Sequence, residues 1–80
     1  MRLPRDLSGT DLARALNVCG YVVTRQTGSH LRLTTRENGE HHVTIPAHAH
    51  LRVGTLSAIL GEVARHLGID RSELAGRLFR

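Results

Sequence analysis

The chain is poor in the residue types that stabilise small secreted domains: its 80 residues include one cysteine, no tryptophan, and only Tyr21 and Phe79 as aromatic residues. A single cysteine cannot form a disulfide within the chain, so the sequence favours a reducing compartment. With so few aromatic rings, a platform that binds single-stranded nucleic acid by stacking on its bases is disfavoured. The core is therefore expected to consist of aliphatic side chains.

Long apolar runs are also missing from the sequence. No segment approaches the length of a membrane-spanning helix, and the first residues lack the apolar stretch of a secretory signal. We therefore expect a cytoplasmic protein without a membrane partner. Because so short a chain cannot divide its apolar residues between two stable cores, residues 1–80 are expected to form a single domain.

Lysine is absent as well, so all 11 basic residues are arginines, and against 7 acidic residues they give a formal charge of +4 and a pI near 11.0. A planar guanidinium group can bind two phosphate oxygens at once, which suits such a basic set to a nucleic-acid backbone. A general bias toward arginine would give the same composition. Charge alone therefore does not decide between an RNA partner and a merely solvated surface.

Apolar residues at helical spacing predict a first helix over residues 8–19. The residues on its apolar face are Leu12, Ala15, Leu16 and Cys19. Ser8 is placed to cap the N-terminus with Asp11 three positions later, and Gly20 is placed to end the helix. Since Cys19 lies on the apolar stripe, we expect it to be a buried apolar side chain and not a reactive thiol.

After this helix the apolar period changes to that of strands. The three predicted strands cover residues 21–26, 29–35 and 41–46. Gly28 interrupts the pattern between the first two strands, and Asn38-Gly39 is a type I′ hairpin signal between the second and third. The sequence therefore predicts a three-stranded antiparallel meander.

Alternation along the second and third strands assigns their side chains to two faces of the sheet. The face expected to be buried carries Leu31, Leu33, Val43 and Ile45. The opposite face carries His30, Arg32, His42 and Thr44. The first strand is ambiguous in this respect: Tyr21, Val23 and Arg25 share one side, and Val22, Thr24 and Gln26 share the other.

Two further helices are predicted in the C-terminal half. After a polar connection over residues 47–54, a second helix ends at Gly68 and has the apolar stripe Leu56, Ile59, Leu60, Val63, Ala64 and Leu67. Asp70 with Glu73 is placed to cap a short third helix over residues 71–79. Because both main helices need the same sheet face to bury their stripes, we predict an α+β fold of order α-β-β-β-α with an additional C-terminal helix and one open sheet face.

His30 is the candidate catalytic residue, because it begins the second strand and is placed on the open face beside Arg32. Imidazole titrates near ~6.5, so at neutral pH it can take a proton from a ribose 2′-hydroxyl and pass one to a leaving oxygen. The pattern alone leaves another interpretation open, since His30 is one of six histidines. A solvated strand residue would look the same.

The candidate RNA-binding residues surround this histidine in the sequence and are Gly28, Ser29, Arg25, Arg32 and Arg36. Guanidinium groups would stabilise the negative charge that builds on a scissile phosphate. Gly28 would let the backbone turn tightly and approach a phosphate, and Ser29 would donate a hydrogen bond to it.

Segments spread over nearly the whole chain match the pattern of one known family. They are Leu3-Pro4-Arg5-Asp6-Leu7-Ser8-Gly9, Gly20-Tyr21, Arg25-Gln26-Thr27-Gly28-Ser29-His30, Ile45-Pro46, His48, Gly54-Thr55-Leu56 and Ile59-Leu60. In these segments the sequence resembles the HicA toxins, also called YcfA-like proteins. It departs from the shorter members in its longer C-terminal stretch, residues 62–80.

This resemblance implies a double-stranded-RNA-binding-domain-like fold and the function of an mRNA interferase, the toxin of a type II toxin–antitoxin system. It implies that the histidine of the Gly-Ser-His motif, here His30, cleaves messenger RNA, with Gly28 and Ser29 as its motif partners. It further implies a HicB antitoxin as the protein partner that masks the active face. We therefore expect a metal-independent endoribonuclease without a cofactor.

Other interpretations of the sequence are weaker. A non-catalytic RNA-binding module of similar fold would have the same charge and would recognise backbone and shape. Residues 59–74 mimic a helix-turn-helix, but Asp70 and Glu73 lie where its second helix would meet DNA, so no direct DNA binding is expected. A zinc site is disfavoured because no acidic or cysteine ligand lies at a recognisable spacing from His41, His42, His48 and His50.

Overall fold

The computed structural model describes residues 3–4 and 6–79. Met1, Arg2, Arg5 and Arg80 lie outside the described residues. Of these, Arg5 belongs to the N-terminal motif and Arg80 is the last residue of the C-terminal stretch. The elements in chain order are α1 (Gly9–Ala15), a 3₁₀-helix (Leu16–Cys19), β1 (Val22–Thr27), β2 (His30–Thr35), β3 (His41–Pro46), α2 (Val53–Leu67) and α3 (Arg71–Leu78). The strands form one antiparallel sheet in the order β1-β2-β3, which confirms the predicted α+β fold.

The first helical segment begins after Ser8 and ends at Gly20 as predicted, but its α-helical part stops at Ala15. The Ser8 hydroxyl accepts a hydrogen bond from the Asp11 N–H (3.0 Å), and the Asp11 carboxylate accepts one from the Ser8 N–H (3.4 Å), which completes a capping box. Gly20 ends the segment with a φ of 79°. The last turn is a 3₁₀-helix and not a continuation of α1. Cys19 is buried as predicted, and burial raises the pKa of its thiol.

The start of α1 lies directly against the end of β3. The Gly9 N–H donates to the carbonyl of His48 (2.9 Å). A Cβ atom added to Gly9 would overlap the carbonyl oxygen of Pro46 and lie 2.8 Å from the carbonyl carbon of that residue. Only glycine therefore fits at the first position of this helix, because the obstructing atoms belong to the backbone.

The sheet buries the predicted face and exposes the other. Leu31, Leu33, Val43 and Ile45 are buried, and they pack with apolar residues of the helices in one core. The residues predicted for the opposite face, His30, Arg32, His42 and Thr44, are all exposed. Both assignments are thus confirmed for the part of the chain that the structure describes. β1 is an edge strand whose six residues are all exposed.

The connection between β2 and β3 differs from the predicted type I′ turn. Asn38 and Gly39 both have positive φ angles (58° and 98°), as that turn requires. However, the loop has five residues, 36–40, and the Gly39 N–H bonds to the carbonyl of Arg36 (3.2 Å). The prediction of a two-residue type I′ turn is therefore wrong, because the dipeptide lies within a longer loop.

The second helix begins earlier than predicted, since Val53 and Gly54 of the expected connection form its first turn. Its N-cap is Arg52, which makes no capping hydrogen bond through its side chain, so no cap signal marks this start. Gly68 ends α2 with a φ of 71°, as predicted. None of the described helices has the length and apolar character needed to cross a membrane.

The third helix packs as an ordinary core element. Its Asp70 cap is confirmed by a 2.7 Å hydrogen bond from the Glu73 N–H to the Asp70 carboxylate. Leu74 is fully buried, and Arg71 donates a 2.7 Å hydrogen bond to the Ser57 hydroxyl of α2. The side chain that a DNA-reading helix would use is thus engaged with the neighbouring helix.

A cluster of rings joins the sheet to the end of α2. Tyr21 is fully buried, and burial raises its pKa to about 12, so its hydroxyl stays protonated and can donate to Nδ1 of His41, 2.8 Å away. The ring of His41 stacks on that of His66, with centroids 4.4 Å apart. Nε2 of His66 in turn donates to the carbonyls of Glu37 (2.9 Å) and Gly39 (3.0 Å) in the loop after β2.

We expect stability to fall as the pH drops below about 6.5. Burial, followed by the proximity of His66, lowers the pKa of His41, and His42 adds to this while Glu62 opposes it. The unfolded chain therefore takes up a proton before the folded chain does, and stability is lost from that pH downward. Urea unfolding of the wild type and of His41→Gln at about pH 7.5 and about pH 5.5 measures the change in the free energy of unfolding. Because glutamine does not titrate, the variant should lose less stability between these two pH values than the wild type does. A variant whose pH dependence equals that of the wild type would contradict it.

Candidate active site

A β-bulge in β1 determines which of its side chains reach the open face of the sheet. The pairing with β2 shifts between Val23, which lies opposite Leu33, and Arg25, which lies opposite Arg32. In a regular strand, residues 23 and 25 would share a face. The extra residue, Thr24, places them on opposite faces, so that Arg25 joins Arg32 on the open side.

His30 lies in a shallow depression at one end of this face. The side chains that line it are Arg25, Thr27, His30, Arg32 and Thr44. Thr27 pairs with His30 across the β1–β2 ladder, and Thr44 pairs with Arg32 across the β2–β3 ladder. The depression thus brings together one imidazole, two guanidinium groups and two hydroxyl groups, and none of the described carboxylates lines it.

The two arginines of this depression are direct cross-strand partners. Like charges placed opposite each other in a sheet repel, which makes the arrangement unfavourable unless an anion lies between them. Neither the Arg25 nor the Arg32 side chain forms a hydrogen bond or ion pair with any of the described residues, although the Arg32 carbonyl accepts a hydrogen bond from the Thr24 hydroxyl (3.3 Å). The pair is therefore available to a phosphate group.

The predicted motif partners of His30 form the hairpin loop that precedes it. Gly28 and Ser29 are the two loop residues between β1 and β2, and the φ of 56° at Gly28 is the positive angle that a type II′ turn requires at this position. The Ser29 carbonyl accepts a hydrogen bond from the Ala47 N–H (2.6 Å). This bond ties the loop to the end of β3 and so fixes the start of β2, where His30 lies.

The third predicted arginine, Arg36, lies at the other end of the open face. It lines a second, larger depression together with Arg25, Arg32, Thr34 and His42. Because Arg25 and Arg32 line both depressions, the two depressions form one continuous groove. We call it the sheet groove. All three arginines predicted to bind RNA therefore contribute to one surface with His30.

A chain of hydrogen bonds crosses the far half of the sheet groove. Nε2 of His42 donates to the Glu40 carboxylate (3.1 Å), and Nδ1 of His42 lies 2.7 Å from the Thr34 hydroxyl. The Thr34 hydroxyl lies 2.9 Å from that of Thr24, the bulge residue. These contacts hold the His42 ring in one orientation on the open face.

Comparison with known proteins gives one family. Residues 9–69 match the sequence model of a protein family described as the HicA toxin of bacterial toxin–antitoxin systems. The chain belongs to the HicA toxin family. The match runs from the first residue of α1 to the residue before the cap of α3, and it includes every residue that lines the sheet groove. No curated protein and no solved structure matches the chain.

Although they are neighbours in the sequence, His41 and His42 of this HicA toxin lie on opposite faces of the sheet. His41 contacts Tyr21 and His66, whereas His42 contacts Thr34 and Glu40 on the other face. Among the described residues, no group of three or more His, Cys, Asp or Glu side chains could hold a metal ion.

Several polar residues of the HicA sheet groove, Thr27, His42 and Thr44 among them, were not among the predicted site residues. Thr44 was assigned to the open face by alternation, but only the register places it beside Arg32. Thr27 was missed because the predicted first strand ended at Gln26, whereas β1 extends to Thr27 and pairs it with His30. His42 was placed on the open face, but its bonds to Thr34 and Glu40 connect neighbouring strands and a loop, and no spacing in the sequence signals them.

Proposed function

We propose that this HicA toxin is an endoribonuclease that cleaves messenger RNA without a metal ion, with His30 as its catalytic residue. One observation carries the proposal: an exposed imidazole shares a depression with two adjacent guanidinium groups that have no partner among the described residues. Membership of the HicA toxin family supports the role of a toxin. Cleavage of RNA through its 2′-hydroxyl needs a base beside a phosphate-binding site, and the depression offers both.

The reaction begins at the ribose 2′-hydroxyl. The neutral imidazole of His30 removes the proton from this hydroxyl, and the 2′-oxygen attacks the adjacent phosphorus. The bond from phosphorus to the 5′-oxygen breaks, which leaves a 2′,3′-cyclic phosphate and a 5′-hydroxyl. Because the leaving 5′-oxygen is opposite the attacking oxygen, one imidazole cannot reach both at once, and water at the exposed face supplies the proton to the leaving group.

Arg25 and Arg32 stabilise the charge that develops during this step. A phosphate between the two guanidinium groups removes their mutual repulsion, and the extra negative charge of the transition state strengthens both contacts. The hydroxyl groups of Thr27 and Thr44 can donate to the remaining oxygens of phosphate or ribose. Gly28 and Ser29 hold His30 at the start of β2.

We expect cleavage to require one particular hydroxyl group. RNA carrying a single 2′-deoxynucleotide at the cut site should be cut at least about 10²-fold more slowly than the all-ribose strand, since the nucleophile is missing. Both strands are incubated with the protein in a chelator, and the ends are identified by mass spectrometry. The same deoxynucleotide placed several positions away serves as the control and should have little effect.

The outcome of this assay separates the proposal from its alternatives. Cutting of the deoxy-substituted site at the normal rate, or 3′-hydroxyl ends on the products, would contradict attack by the 2′-oxygen. Binding of RNA without any cutting would favour a non-catalytic RNA-binding module.

For the antitoxin, we propose a HicB protein that covers the sheet groove with acidic side chains, because the groove contains the adjacent Arg25–Arg32 pair.

A further inference from the structure

The sheet groove is much longer than a single scissile phosphate. It runs from His30 at the start of β2 to Arg36 just beyond its end. Six residues of extended chain cover roughly 20 Å. That length is of the same order as the path of the roughly four nucleotides that compact RNA-binding modules clamp. The groove can therefore hold several consecutive nucleotides along β2.

The charge of the groove changes along its length. Beside His30, two arginines line the depression, and no carboxylate from the described part of the chain does. Toward Arg36, the carboxylates of Glu37 and Glu40 also line it, and Glu40 is bound to His42. The first half is thus suited to the phosphate where charge develops, and the second half offers both donors and acceptors to phosphates and nucleotide edges.

The proposed chemistry restricts the conformation of the RNA in this groove. Attack by the 2′-oxygen requires that it lie in line with phosphorus and the leaving 5′-oxygen. The A-form duplex holds the 2′-oxygen away from that line, whereas an unpaired strand can rotate its sugar and phosphate freely. A single strand is therefore the form of RNA that can both follow β2 and react at His30.

We propose that the substrate of this toxin is single-stranded RNA that lies extended along β2, with the reacting phosphate at His30 and a neighbouring stretch of backbone bound at a subsite formed by Thr34, Arg36 and His42. This inference rests on the proposed ribonuclease function. The subsite binds the strand and takes no part in the chemistry. Because the chain has few aromatic residues, the strand is held mainly through its phosphates.

Binding to an uncleavable strand tests this path independently of catalysis. Fluorescence anisotropy with an oligonucleotide of about 12 nucleotides, 2′-deoxy at the cut site, gives the affinity at several salt concentrations. Arg36→Ser should weaken binding severalfold and lower the slope of log K against log salt by about 0.7, the value for one lost single-strand phosphate contact. Arg65→Ser, on the exposed side of α2, is the matched control and should leave both quantities unchanged.

Cleavage assays test the strandedness and the length of the substrate. The same RNA annealed to a full complement should be cut at least about tenfold more slowly than the free strand. Arg36→Ser should raise KM for the long strand more than it lowers kcat, and it should have no effect on a dinucleotide, which cannot reach the subsite. Circular dichroism and thermal melting establish that both variants fold.

The results distinguish this inference from the function on which it depends. Equal cutting of duplex and single strand, or equal binding losses in Arg36→Ser and Arg65→Ser, would overturn the strand path while leaving the nuclease intact. Absence of cutting by the wild type would refute the nuclease, whereas the salt slopes of the uncleavable strand would still report whether RNA lies along β2.

Discussion

His30→Ala is expected to slow RNA cleavage by about 10²–10⁴-fold, the usual contribution of a general base. The side chain is exposed and makes no hydrogen bond with any of the described residues, so its removal should leave the fold unchanged. Since Arg25 and Arg32 remain in place, KM should change much less than kcat. Single-turnover cleavage of a labelled RNA, with the variant in excess, measures the rate of the chemical step.

His50→Ala is the matched control for this experiment. His50 is also exposed, and its ion pair with Asp6 (3.9 Å) joins two highly exposed side chains, so its loss should cost nothing measurable. We expect the control to cut RNA at the wild-type rate. Undiminished cutting by His30→Ala would show that another group acts as the base. Equal losses in both variants would indicate a general effect of removing histidine.

Gly9→Ala is expected to destabilise the protein by about 3 kcal/mol, at the upper end of the usual cost of overpacking. The added methyl group would overlap the carbonyl oxygen of Pro46, and the Gly9 N–H that bonds to His48 would have to move with it. A flexible side chain could yield to the methyl group, but a backbone carbonyl at the end of a strand cannot do so without disturbing β3. Urea unfolding gives the change in the free energy of unfolding.

Gly61→Ala in α2 provides the comparison. The added methyl group would lie 3.7 Å from Cδ of Arg71, an ordinary contact, and alanine is favoured over glycine within a helix by roughly 1 kcal/mol. This substitution should therefore stabilise the protein slightly. A Gly9→Ala variant as stable as the wild type would show that α1 does not pack this closely against the end of β3. Because Pro46 is the cross-strand partner of His30, a displaced β3 should also reduce cleavage.

The parts of the fold that could be predicted are those set by local chemistry. The Ser8 and Asp70 caps are visible in the sequence because a side chain bonds to a backbone group three residues away. The faces of β2 and β3 follow from strict alternation around Leu31 and Val43. The start of α2 could not be predicted, since Arg52 makes no cap through its side chain.

The sequence predicted which residues contribute to the candidate site, but it did not predict how the sheet places them relative to one another. His30 and Arg32 could be placed on the open face because they share a strand with buried leucines. The position of Arg25 could not, because it depends on a bulge, and a bulge is a property of two paired strands that one strand does not encode. The same holds for the contacts of His42, which depend on the register of β2 and β3.

The bulge also affects how this strand can vary in length. Thr24 is the residue that pairs with no single partner, so its removal would leave Val23 opposite Leu33 and Arg25 opposite Arg32. A deletion of one codon at this point therefore keeps the guanidinium group beside the imidazole, whereas deletion of Gln26 or Thr27 would move Arg25 opposite Leu31, on the face of the core. We therefore expect relatives to tolerate a gap of one position here, so the residues of this strand are best aligned by counting back from Gly28.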